Sequence, residues 1–100
     1  MTDFSLDVYE ALRKLPEGCV ISYGRLAELA GRPGAARAVG NILHKNPWPE
    51  DVPCFRVVHS DGSLAPAFAF GGIYRQRELL EADGIEVVNF RVDMERYAFR

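Results

Sequence analysis

Residues 22–44 read SYGRLAELAGRPGAARAVGNILH, two short helical segments around a glycine-rich turn. Ser22 is placed as an N-cap, where its hydroxyl can accept from the first free backbone N–H groups. The helix it opens runs from Tyr23 to Ala30, with Leu26, Leu29 and Ala30 facing inward. Gly31-Arg32-Pro33-Gly34 is a tight turn, and Gly31 suits the left-handed position just past a helix end. A further helix follows from about Ala35 to His44, with Val39, Ile42 and Leu43 as its buried side. Helix, turn, helix is the outline of a DNA-reading motif, though many αα-hairpins with no nucleic-acid role share it. The second helix is more specific. Arg37, Asn41 and His44 recur at i, i+4 and i+7 and share its outward face. Around them lie Ala35, Ala36, Ala38 and Gly40. A mid-helix glycine costs about 1 kcal/mol relative to alanine, so its presence implies close approach of something. That something is either a narrow minor groove or a neighbouring helix in the same core. An arginine projecting from so smooth a surface is suited to entering a base stack.

The flanking sequence supplies the rest of a small domain. Leu6, Tyr9, Leu12 and Leu15 predict a helix over 5–15, stopped by Pro16-Glu17-Gly18. Cys19-Val20-Ile21 reads as a short extended piece. Pro47, Pro49 and Pro53 force an irregular loop around Trp48. Cys54 to His59 reads as a strand or short buried segment, closed by the turn Ser60-Asp61-Gly62. A loop of small and aromatic residues from Leu64 to Gly72 leads into a long helix from Ile73 to Asp83, ended by Gly84. Ile85 to Val88 is extended, and the tail through Tyr97 and Phe99 either docks on the core or frays.

One hundred residues suffice for one core without disulfides or metals. Two cysteines, Cys19 and Cys54, make no disulfide framework, and the two histidines make no metal spacing. The N-terminus lacks a basic start followed by an apolar stretch, and no apolar run approaches the roughly 20 residues of a membrane span. The expectation is a cytoplasmic, reduced, monomeric protein with no metal, no cofactor and no membrane partner. A net charge of −2 argues against a strongly electrostatic nucleic-acid binder. Between Ser22 and Asn46, however, Arg25, Arg32, Arg37 and Lys45 oppose only Glu28, so one basic face is available.

Pro53-Cys54-Phe55-Arg56-Val57-Val58 holds the chemistry. Proline before the cysteine and the apolar run after it fix the backbone that carries the thiol. The neighbouring Phe55 can neither take nor give a proton. Cys19, by contrast, reads as a packed thiol, and Trp48 as a loop anchor.

Taken in order, VISYGRLA (20–27), AARAVG (35–40), Asn46-Pro47, VPC (52–54), RVV (56–58), SDG (60–62) and Gly71-Gly72 resemble the C-terminal, DNA-binding domain of the O6-alkylguanine-DNA alkyltransferases. The match runs from about residue 5 to 87. It implies a small α/β, mostly helical single domain over 1–100, with a winged-type helix-turn-helix that enters the minor groove. It also implies that a damaged guanine is flipped into a pocket beside Cys54. By that resemblance Tyr23 presses on the phosphate beside the lesion, Arg37 fills the vacated stack, and Ala36, Gly40 and Asn41 lie against DNA. The implied lesion pocket comprises Leu43, Asn46, Pro49, Cys54, Phe55, Val57, Phe68 and Phe70, with Cys54 as the candidate alkyl acceptor.

Two departures from the repair enzymes matter. Their acceptor cysteine is followed by a histidine that draws off its proton and is held by a glutamate; here those positions are Phe55 and Asp83. His59 lies five residues along an extended segment and is not expected to substitute. The loop Pro66-Ala67-Phe68-Ala69-Phe70 carries phenylalanine near the place of the enzymes' guanine-contacting tyrosine. These departures resemble the alkyltransferase-like proteins, short relatives that bind O6-alkylguanine without repairing it, although most of those replace the cysteine that this chain keeps. Three readings follow: a lesion-binding protein that flags O6-alkylguanine for nucleotide excision repair proteins, a slow single-turnover methyltransferase using Cys54, and a regulator of undamaged DNA. The acidic net charge and short recognition helix disfavour the third.

Overall fold

A computed structural model describes residues 2–66 and 68–99; Ala67, within the aromatic loop, lies outside the described residues. The helix α1 (Asp3–Arg13) starts two residues earlier than its leucine spacing suggests, because Thr2 caps it by accepting from the Ser5 N–H at 3.1 Å. Its buried stripe is Phe4, Val8 and Leu12 at i, i+4 and i+8, with Tyr9 alongside; Leu6 falls on the opposite side and is 48% exposed.

After α1 the chain enters β1 (Ile21–Ser22), α2 (Tyr23–Leu29), α3 (Ala36–His44) and β2 (Val57–Val58). β1 and β2 pair in parallel, Ile21 opposite Val57 and Ser22 opposite Val58, so the two helices form the crossover between them. Ser22 caps α2 as expected, its Oγ accepting from the Arg25 N–H at 3.1 Å. At the other end the N–H groups of Gly31 and Arg32 reach the carbonyls of Glu28 and Ala27, and Gly31 has φ +94°. This is a Schellman closure, possible because glycine tolerates the left-handed region. α2 buries Leu26, Ala27 and Ala30; Leu29 is turned outward rather than inward. α3 buries Val39 and Leu43, and the Tyr9 hydroxyl ties it to α1 by donating to the Ile42 carbonyl at 2.8 Å.

The segment expected as a strand from residue 54 begins instead as a 3-10 turn, Cys54–Arg56, and only Val57 and Val58 join a sheet. Because successive strand residues face opposite ways, Ile21 and Val57 enter a core built on α1, α2 and α3. Val20 and Val58 enter a second cluster with Leu64, Leu80, Ile85 and Val92. The short ladder is thus a partition between two small cores. Beyond it lie α4 (Gly72–Ala82), the hairpin β3 (Val87–Val88) with β4 (Arg91–Val92), and α5 (Met94–Tyr97). Asn89 and Phe90 have φ of 51° and 58°, the two positive values of a type I′ hairpin turn. The tail docks: Val20 donates to the Tyr97 carbonyl at 2.9 Å and accepts from Phe99 at 2.7 Å.

Two polar side chains on the last long helix and its end lock the residues around Cys54. Gln76 is fully buried; its Nε2 donates to the carbonyls of Phe55 and Val57, each at 3.0 Å, and its Oε1 accepts from the Ala65 N–H at 2.9 Å. Arg56 pairs with Asp83 through Nε at 3.1 Å and Nη2 at 3.3 Å, and donates a third bond to the Leu15 carbonyl. Asp83 in turn accepts from the Gly18 N–H at 3.0 Å. Replacing Gln76 by alanine removes the side-chain partner of three backbone groups, two buried and one part-buried, each worth about 1–3 kcal/mol before relaxation. Urea unfolding of Gln76→Ala is therefore expected to show a loss of roughly 3 kcal/mol; a loss below about 1 kcal/mol would mean that water replaces all three bonds.

Candidate nucleic-acid interface

The short crossover places the start of α2 and the outward face of α3 beside the 3-10 turn, and a cleft of about 700 Å³ opens between them. Tyr23 enters from α2; Ala36, Arg37, Gly40, Asn41, Leu43 and His44 from α3; Cys54 and His59 from the two ends of the 54–59 segment. The far wall is the loop after Leu64, with Ala65, Pro66, Phe68, Ala69 and Phe70. The rings of Phe68 and Phe70 meet edge to face at 5.7 Å, so both phenylalanines supply that wall. The face that α3 turns into the cleft is the one that carries Arg37, Asn41 and His44, all exposed.

Four residues placed in the pocket by sequence do not line the cleft. Phe55 points away, its ring 5.2 Å from the Arg56 guanidinium and packed against the second core cluster. Val57 is fully buried as the partner of Ile21. Pro49 stands exposed on the loop after α3. Asn46 is buried and holds that loop, its Nδ2 donating to the Val52 carbonyl at 3.1 Å and its Oδ1 accepting from the Trp48 N–H at 2.9 Å. Trp48 anchors the same loop edge-on against Tyr9. Asp83, whose carboxylate Arg56 and Gly18 engage, is likewise a structural group.

Sequence reasoning set His59 aside as a substitute base for Cys54, reading 54–59 as one extended run, and did not place it in the cleft. A 3-10 turn advances about 2.0 Å per residue against about 3.3 Å for a strand, which shortens that path. His59 consequently reaches the cleft and stacks on Tyr23, with ring centroids 5.3 Å apart and planes at 43°. His44 was legible on the outward face of its helix, whereas Ala65, Pro66 and Ala69 carry no signal beyond belonging to the aromatic loop.

The thiol at the floor of the cleft is not an activated one. Burial pushes the Cys54 thiol up from its ordinary value, and hydrogen bonding from Asn46 offsets only part of that rise. Burial also pushes the Tyr23 hydroxyl up, with the neighbouring Cys54 adding to the effect. Among the described residues no aspartate or glutamate lines the cleft, and the Arg37 guanidinium takes part in no ion pair or hydrogen bond. Gly40 has no internal reason to be glycine, since a Cβ there would meet its nearest neighbour, the Tyr23 ring, at an ordinary 3.9 Å.

Two short helices joined by a glycine turn thus share a cleft with a buried thiol. The model of the 6-O-methylguanine DNA methyltransferase DNA-binding domain matches residues 3–85, and the chain belongs to that family. A methylated-DNA–protein-cysteine methyltransferase of Salmonella typhimurium is 47% identical over 83 residues, 83% of this chain and 47% of that enzyme. The chain therefore spans about half the length of that relative. A DNA base-flipping protein of Vibrio parahaemolyticus is 38% identical over 87 residues, 87% of this chain and 85% of that protein. The crystal structure of S. pombe Atl1 with damaged DNA containing O6-carboxymethylguanine superposes with a TM-score of 0.91 at 30% identity, covering 100% of this chain and 97% of that one.

Two outcomes are expected. Iodoacetamide labelling of Cys54 should climb about tenfold per pH unit between about pH 7 and 9, following the thiolate fraction. A plateau below about pH 8 would reveal a stabilised thiolate and contradict the raised pKa. Gly40→Ala should stabilise the fold by about 1 kcal/mol in thermal unfolding, yet weaken binding to a lesion-bearing duplex at least about tenfold, or 1.4 kcal/mol. Unchanged binding would show that nothing approaches α3 at Gly40.

Proposed function

We propose that this chain binds O6-alkylguanine in double-stranded DNA, turns the damaged nucleotide out of the helix and holds it in the cleft without efficient alkyl transfer. In this reading the small face of α3, with Ala36, Gly40 and Asn41, lies in the minor groove. Arg37 fills the gap left in the base stack, and Tyr23 presses on the adjacent phosphate. Flipping costs a few kcal/mol, part of which an inserted side chain offsets. The base rests among Leu43, Cys54, Phe68 and Phe70, with Asn46 holding the loop behind them. The bound complex then serves as a flag for nucleotide excision repair proteins.

One observation carries the reading: Cys54 lies at the floor of the cleft with a raised pKa, while the side chain that follows it is a phenylalanine turned away onto Arg56. A thiol of ordinary pKa is only a few per cent ionised near pH 7, and one pushed higher is ionised less. Among the described residues no histidine or carboxylate hydrogen-bonds to it. The likeness to a DNA base-flipping protein and to Atl1 supports lesion binding. Retention of Cys54 in the cleft favours a second reading, a slow single-turnover O6-methylguanine-DNA methyltransferase.

Intact-protein mass spectrometry after incubation with excess O6-methylguanine duplex separates the two. An unchanged mass, with the duplex still shifted in a gel, is the expected result. Gain of one methyl that disappears in Cys54→Ser would establish the transferase instead. Arg37→Ala is expected to weaken lesion binding roughly tenfold to a hundredfold, through about 1–3 kcal/mol of lost stacking. Equal affinity of Arg37→Ala and wild type would remove the insertion role.

A further inference from the structure

We propose that His44 and His59, the two histidines of the chain, are proton-linked phosphate contacts that frame the cleft and tighten DNA binding as the pH falls. The inference rests on the lesion-binding reading above and adds to it two groups that touch the nucleic acid. Two independent elements bring these imidazoles to one opening. His44 is in the last turn of α3, where the helix dipole favours a cation, and His59 follows β2 and is held against the Tyr23 ring. Both are exposed, and among the described residues neither imidazole is engaged by a hydrogen bond or an ion pair. They stand beside Arg37 on a cleft without a carboxylate, in a protein whose net charge is −2. An acidic protein that docks on a polyanion gains most from cations placed where the phosphates arrive, and histidine supplies them conditionally.

The surrounding groups leave the titration to these two residues. Against His59 stands Tyr23, and Cys54 lines the same cleft; burial pushes the hydroxyl and the thiol up, so both are neutral near pH 7. On its own turn stands Asp61, which hydrogen bonds from Ser63 and the nearby Arg91 keep ionised by holding its carboxyl below the usual range. The polar and charged residues beside His44 along this stretch are Arg37, Asn41 and Lys45, and none is a carboxylate. A phosphate stabilises imidazolium, so each histidine takes up a proton on binding. Linkage then requires affinity to rise as pH drops through the histidine range, by at most about tenfold per pH unit for each proton taken up.

The test is fluorescence anisotropy of the full chain with an O6-methylguanine duplex, at about pH 5.5 and about pH 8 over a salt series. Affinity is expected to be roughly tenfold to a hundredfold higher at the lower pH. The slope of log affinity against log salt should steepen by up to about 0.9 per protonated contact. H44Q and H59Q should each remove part of both effects. The double variant should show a flat pH profile and an unchanged Tm. A double variant that keeps the wild-type pH profile, or a wild type that binds equally at both pH values, would overturn the proposal. Absence of binding at every pH would overturn the lesion-binding reading itself and the histidine proposal with it.

Discussion

Everything around the cleft depends on the three hydrogen bonds of Gln76. Two reach the carbonyls of Phe55 and Val57, which flank Arg56, and the third holds the N–H of Ala65 at the start of the aromatic loop. One fully buried amide thus sets the spacing between the floor of the cleft and its far wall. A buried primary amide is suited to this task because it donates and accepts at once, and an unpartnered backbone group inside a core is costly. The Arg56–Asp83 pair ties the same turn to Leu15 and Gly18 in the segment that follows α1. Its largely buried charges add no net stability in the general case, but they discriminate against any packing that would separate them.

That clamp explains why the position after Cys54 can lose a proton-accepting side chain without losing its fold. Phe55 contributes to the second cluster and covers the guanidinium of Arg56, so its ring serves packing. The cleft side of the turn is left to a neutral, buried thiol and two edge-packed phenylalanines. In the proposed reading such a surface holds an apolar substituent through desolvation and shape, which needs no acid or base.

α3, the glycine turn before it and the thiol were legible in sequence because each depends on local rules. Ser22 caps, Gly31 closes a Schellman motif, and Arg37, Asn41 and His44 follow from helical spacing. The family resemblance supplied the rest of the domain, and the matched model bears it out. What spacing could not supply was tertiary. Leu6 and Leu29 are leucines at plausible inward positions that the packing turns outward, and the burial of Phe4 in place of Leu6 follows from a cap two residues upstream. The 3-10 turn at Cys54 escaped because its sequence, apolar and β-branched, reads equally as strand. Phe55 and Val57 were assigned to the pocket by the resemblance alone, and the 3-10 turn aims both into the packing instead.

The pairing of Val20 with residues 97–99 carries a consequence for the order in which the molecule assembles. Contacts between α1, α2 and α3 span short stretches of chain and form quickly, whereas closing β1 against both β2 and the tail waits on distant segments. The three-helix unit is therefore complete early, while the partition between the two cores closes only when residues 57–58 and 97–99 reach the segment 20–22.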